Sequence, residues 1–175
     1  MKGLFALTAV IVFAVGVLGA SAQGLEVGDD APAFDLPGTD GNMHSLADYE
    51  GTTVVLAWFP KAFTGGRTAE CKSLRDSSDQ LNQFNIQYFM ISVDEPDVNK
   101  EFAESLNADF PLLSDPAKGV ATAYGVINDE RPVPFRWTFI IGPDGKIMKI
   151  DKEVQAARAG LDLVAHLGEL NVAKK

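Results

Sequence analysis

The chain has 175 residues, room for one ordinary domain. With 46% hydrophobic and 22% charged residues it can bury a core, which excludes wholesale disorder. Fifteen Lys and Arg against 24 Asp and Glu give a net charge of −9, a field that disfavours nucleic acid and anionic membrane surfaces as partners.

The N-terminus reads as a targeting segment. Lys2 is a minimal positive region, residues 3–19 form an uncharged, largely apolar run, and Ala20-Ser21-Ala22 supplies a small-x-small cleavage signature. The expectation is a signal peptide over residues 1–22, cleavage near Ala22-Gln23, and an exported (periplasmic or secreted) single domain over 23–175. The other reading of so short a run is an uncleaved anchor. The one cysteine, Cys71, excludes an intramolecular disulfide, a Cys-x-x-Cys pair and any multi-cysteine metal site. His44 and His166 leave little for zinc, so neither a metal nor a cofactor is expected.

After the leader, residues 27–36 read as extended, with a turn at Pro37-Gly38-Thr39-Asp40-Gly41 and a short return at 43–46. Residues 52–59 (TTVVLAWF) are a nearly continuous β-branched and apolar run, the pattern of a strand covered on both faces. Residues 60–66 break it with one proline and two glycines. Leu74, Leu81 and Phe84 stand at helical spacing within 67–84, and 86–93 is a second buried strand. A surface helix over 97–106, a short strand over 110–113 and a short helix over 119–124 follow. Residues 137–141 form a third central strand, turned by Pro143-Asp144-Gly145 into 146–150, a hairpin signal. Residues 161–170 close the chain as a helix with Leu163, Val164, Leu167 and Leu170 on one side. The order predicts an α/β fold whose mixed central sheet carries helices on both faces.

Periodicity does not select among three-layer folds, but a local motif does. The run Phe59-Pro60-Lys61-Ala62-Phe63-Thr64-Gly65-Gly66-Arg67-Thr68-Ala69-Glu70 resembles the active-site loop of peroxiredoxins, which carries Pro-x-x-x-Thr-x-x-Cys where a central strand meets the next helix. Pro60 and Thr64 match. Residues 28–36, Leu74-Arg75-Asp76, and Arg136-Trp137-Thr138-Phe139-Ile140-Ile141 with Pro143-Asp144-Gly145-Lys146-Ile147 resemble further family stretches, in order, over about residues 24–170. The chain is thus similar to the alkyl hydroperoxide reductase/thiol-specific antioxidant family, nearest its bacterioferritin-comigratory subgroup. The resemblance implies a thioredoxin-like fold, a hydroperoxide substrate and an external thiol reductant such as a thioredoxin-like protein, in a monomer or homodimer.

The residues fit that chemistry in every part but one. A helix N-terminus offers free N–H groups and a positive dipole end, both of which lower a thiol's pKa. Gly65 and Gly66 let those groups approach a substrate. Thr64 can donate a hydroxyl, Arg136 a fixed fork of donors, and Pro60 shapes the loop. The family's peroxidatic cysteine, however, falls on Arg67, a permanent cation that opposes the helix dipole. Cys71 lies one turn on and shares a stripe with Leu74, Ser78 and Leu81, as a core thiol would. The subgroup's resolving cysteine would fall on Lys72.

Glu70 is expected to pair with Arg136, or with Arg67 at i, i+3. The acids Asp94, Glu95 and Asp97 read as a solvated loop before a helix. Three readings follow for the whole. One is an antioxidant protein of this family with an impaired nucleophile, any thiol chemistry resting on Cys71. Another is a non-catalytic module in which Arg67, Arg136 and the helix N-terminus hold a small anion. The third lies in the gene, where one base change turns a cysteine or selenocysteine codon into an arginine codon.

Overall fold

The computed structural model describes residues 24–60 and 65–175; the expected signal peptide and the candidate Thr64 lie outside the described residues. A short N-terminal hairpin, β1 (Asp35–Pro37) and β2 (Met43–Ser45), leads through a 3-10 turn at Leu46–Tyr49 into β3 (Thr53–Trp58). Next come α1 (Gly65–Asp76), α2 (Ser78–Leu81), β4 (Ile86–Ser92), α3 (Pro96–Leu106), β5 (Leu112–Ser114) and α4 (Gly119–Ala123). The hairpin β6 (Thr138–Ile141) and β7 (Ile147–Asp151) precedes α5 (Ala159–Glu169).

The five-stranded sheet has the order β5-β4-β3-β6-β7. Strand β4 runs parallel to β3 and β5, whereas β6 is antiparallel to both β3 and β7, so the sheet is mixed as expected. Alternation along β3 sends Val55 and Ala57 into one core and Val54, Leu56 and Trp58 into the other. The first core is closed by Cys71, Leu74, Leu81, Phe102, Leu163 and Leu167 from α1, α2, α3 and α5. The second is closed by Ala121 of α4, Phe34 and Leu36 of the N-terminal segment, and Tyr124 and Val126. Helices therefore cover both faces, unevenly.

Two boundaries correct the sequence reading. The helix expected over 67–84 begins two residues earlier, so Gly65 and Gly66 belong to its first turn, and it breaks at Ser77 (φ −101°, ψ 3°). The apolar repeat through Leu74 and Leu81 continues across the break, which hides it. The run Asp76-Ser77-Ser78-Asp79 consists of residues that favour caps and turns over helix interiors. Close packing fixes the same point, because a Cβ on Gly160 of α5 would collide with the Ser73 carbonyl and the Ser77 hydroxyl. The helix over 96–106 is also less superficial than expected: Asn99, Phe102 and Ala103 are buried.

Candidate active site at the β3–α1 junction

Pairing at the end of β3 sets the site. The Phe59 amide still donates to the Ile91 carbonyl (3.1 Å), and Trp58 N donates to the Trp137 carbonyl (2.9 Å). Pro60 has no N–H to continue the ladder. The register places Arg136, just before β6, beside the start of α1. Its Nη1 donates to Glu70 Oε2 in an ion pair between groups 66 residues apart in the chain. The guanidinium lies over Gly66, where a Cβ would come 3.0 Å from Arg136 Nη2, so the glycine makes room for the arginine. The Glu70 side chain is wholly buried while that of Arg136 is 20% exposed. Burial raises the Glu70 pKa to about 7 against the opposing pull of Arg136.

Arg67 takes the opposite direction. Its side chain is fully buried, with the guanidinium carbon 3.7 Å from the ring centre of Phe59 and 3.5 Å from that of Phe102. Nη2 donates to Asn99 Oδ1 at 2.9 Å, and Nη1 is 3.7 Å from Asp94 Oδ2. Asn99 is fixed in turn by donating to Ser114 Oγ (2.7 Å) and the Leu113 carbonyl (3.1 Å). Ser92 Oγ donates to Asp94 Oδ2 at 3.1 Å. Burial lowers the Arg67 pKa to about 9, opposed chiefly by Asp94. Even so the group is charged at neutral pH.

The sequence model of the AhpC/TSA family matches residues 27–150. Peroxiredoxin Bcp of Escherichia coli is 36% identical over 129 residues, which cover 70% of this chain and 83% of that relative. The chain belongs to the AhpC/TSA family. Its peroxiredoxin fold is also that of peroxidoxin BcpB from Mycobacterium tuberculosis, with TM-score 0.74 and 29% identity over 84% of this chain and 97% of the other. A cysteine-to-serine mutant of Xylella fastidiosa PrxQ, at 23% identity, shares the fold with TM-score 0.77 over 85% and 98% of the two chains. The thioredoxin-like architecture implied by the family resemblance is thus the one found.

Within this peroxiredoxin fold the predicted site residues separate. Pro60, Gly65, Gly66, Glu70 and Arg136 gather at the start of α1. Glu70 takes Arg136 as its hydrogen-bonded partner, while Arg67 acts on it only through its charge. Cys71 points into the core below, fully buried, and burial raises its pKa to about 11 despite the Arg67 charge. A thiol so placed is protonated and shielded at neutral pH.

The small-anion pocket between Arg67 and Arg136 is not formed. One guanidinium is sealed between two rings and the other is held by Glu70, so the two forks do not converge on an open space. Nor is Asp94 part of a solvated loop, since it faces Arg67 and its side chain is only 16% exposed. The expected conflict between Arg67 and the α1 dipole is offset by that carboxylate and two aromatic faces. Asn99, Ser92, Phe59 and Phe102 were not legible as site residues. The available signal was an asparagine on the same helical face as Phe102, where a buried amide requires partners. Among the described residues, no group of three or more His, Cys, Asp or Glu side chains could hold a metal ion.

Proposed function

We propose that this chain is an exported peroxiredoxin-family protein that keeps the scaffold for reducing hydroperoxides with an external thiol donor, while Arg67 stands where the attacking sulfur belongs. The observation that carries this reading is the Arg136–Glu70 pair over Gly66 at a helix N-terminus, with the sole thiol buried below it. Hydroperoxide reduction needs a thiolate to attack one peroxide oxygen, forming an S–O bond as the O–O bond breaks and an alcohol leaves. Two thiols of an external donor, such as a thioredoxin-like dithiol, then return the sulfenic acid to thiol: the first displaces water to form a mixed disulfide, and the second frees the protein thiol as the donor's own disulfide forms. Arg136 is placed to hold the peroxide, but positioning accelerates nothing without a nucleophile. Peroxide reduction by the chain with arginine at position 67 is therefore at background.

Removal of residues 1–22 on export belongs to the same reading. It would place the lone thiol in an oxidising compartment, where burial of Cys71 protects it.

The decisive experiment is stopped-flow reduction of hydrogen peroxide by Arg67→Cys with dithiothreitol, with Arg67→Ser and Arg67→Cys/Cys71→Ser as controls. Activity in both Arg67→Cys variants and none in Arg67→Ser supports the reading. An Arg67→Cys protein that folds, as judged by circular dichroism, yet stays inert would overturn it.

A further inference from the structure

His44 lies outside every sequence motif, yet it is one of the most constrained polar side chains among the described residues. It sits on β2 opposite Leu36 and is 7% exposed. Its Nδ1 is 2.5 Å from the Tyr49 hydroxyl, and its Nε2 is 3.0 and 3.1 Å from the two carboxylate oxygens of Asp40. Phe89 packs edge-on against both rings, with centroids 5.0 Å from His44 and 5.6 Å from Tyr49. Gly38 lies so close that a Cβ there would overlap the imidazole. The ring has no room to turn away.

The three groups define a direction for a proton. Ionised Asp40 only accepts, so in the neutral imidazole it fixes the hydrogen on Nε2 and leaves Nδ1 to accept the Tyr49 hydroxyl. The other two tyrosines lack such a base. The Tyr124 hydroxyl donates to the Pro32 carbonyl at 2.8 Å, which cannot take the proton, and Tyr88 is buried with no imidazole hydrogen-bonded to it among the described residues. The two ends of the relay also face different spaces. Tyr49 lines a cavity of about 330 Å³ in which Ala33, Leu46, Val54 and Pro143 give an apolar wall for an organic group and Glu50, Thr52 and Asp144 a polar one. Asp40, with its side chain 35% exposed, borders a separate cleft of about 670 Å³.

We propose that Tyr49 is a redox-active tyrosine that gives one electron to an organic peroxyl radical in the adjoining cavity while its proton passes to His44. The Tyr49 O–H bond breaks, the proton moves to His44 Nδ1, and the electron reduces the peroxyl radical to a peroxide anion. The anion takes a proton from solvent and leaves as a hydroperoxide. The imidazolium then stands between the Asp40 carboxylate and a neutral tyrosyl radical. One electron from a thiol or ascorbate-class reductant, with return of the proton from Nδ1, restores the phenol. Burial, aided by Asp48 and Asp40, raises the Tyr49 pKa, so the phenol is protonated at neutral pH and its oxidation has to release a proton. This activity does not depend on what occupies position 67.

The full chain is oxidised with photogenerated tris(bipyridine)ruthenium(III) and freeze-quenched for electron paramagnetic resonance. A tyrosyl signal is expected in the wild type, in Tyr88→Phe and in Tyr124→Phe. It is lost in Tyr49→Phe, which keeps the ring and its packing. Formation is slower in deuterium oxide and in Asp40→Asn. A signal that persists in Tyr49→Phe, a radical found on Trp137 instead, or a rate indifferent to deuterium would overturn the proposal. In a second arm, peroxyl radicals from a thermal azo initiator are consumed faster by wild type than by Tyr49→Phe; equal rates would remove the substrate assignment.

Discussion

The Arg67 guanidinium lies 3.5 Å from the ring centre of Phe102, a contact that joins the first turn of α1 to the middle of α3. A charge this deeply buried needs π faces, acceptors and counter-charge in place of its water, and Phe59, Asn99 and Asp94 supply part of that replacement, with Nε and Nη1 left without a hydrogen bond among the described residues. Phe102→Ala is expected to cost about 3–5 kcal/mol, the range for truncating a buried phenylalanine. The specific contribution of the cation is read from a double-mutant cycle of Phe102→Leu with Arg67→Met in urea denaturation. A coupling of about 1–2 kcal/mol is expected for a desolvated cation–π pair. Strict additivity would show that the rings only fill space.

Glu70 ties stability to pH. Its folded pKa of about 7 stands above the ordinary 4.5 because burial outweighs the attraction of Arg136. Between these values the unfolded chain releases the proton first, so this group lowers stability as pH rises and has no effect below the unfolded value. The urea midpoint of the wild type should therefore gain a falling component from about pH 4.5 to about pH 7 that Glu70→Gln lacks. Identical pH profiles in the two proteins would place the carboxylate in water.

Cys71 should behave as a core thiol. With full burial and a pKa raised to about 11, it should react slowly with a disulfide-exchange reagent in native protein and quickly once urea unfolds the chain. Rapid native labelling at neutral pH would move it into the reactive class.

Export predicts a particular mass. Intact mass measurement of protein recovered from the host envelope should give a chain beginning at Gln23. Retention of residues 1–22 in a form that needs detergent would favour the anchor instead.

The register of β6 against β3 decides one further substitution. Arg136→Ala leaves the buried Glu70 carboxylate without its bonded cation, so the Glu70 pKa should rise further and the fall in stability, still starting at the unfolded value, should extend to higher pH and deepen. Arg136→Lys should restore part of the pairing through charge alone. A midpoint profile unchanged in Arg136→Ala would mean that the pair contributes nothing in solution.

Much of this was written along the chain. The β-branched run at 52–59, the turn at Pro143-Asp144-Gly145 and the loop from Pro60 to Glu70 are local signals, because backbone preference and burial pattern act over a few residues. They sufficed for the layered α/β architecture, the family resemblance and the position of the site at a strand–helix junction. Which way Arg67 points was not local. Its partners Asn99 and Asp94 come from beyond β4, and they meet it because β4 pairs with β3 in a register that a single strand pattern does not reveal. The same holds for Arg136 and Glu70, brought together across 66 residues by the antiparallel pairing of β3 with β6. His44 is the clearest case, since nothing in a lone histidine announces that the hairpin turn will put Asp40 on one ring nitrogen and the following 3-10 turn will put Tyr49 on the other. Sequence decides which groups a chain owns, whereas the packing of side chains at about 3 Å, and with it their charge and proton state, exists only once the sheet has closed.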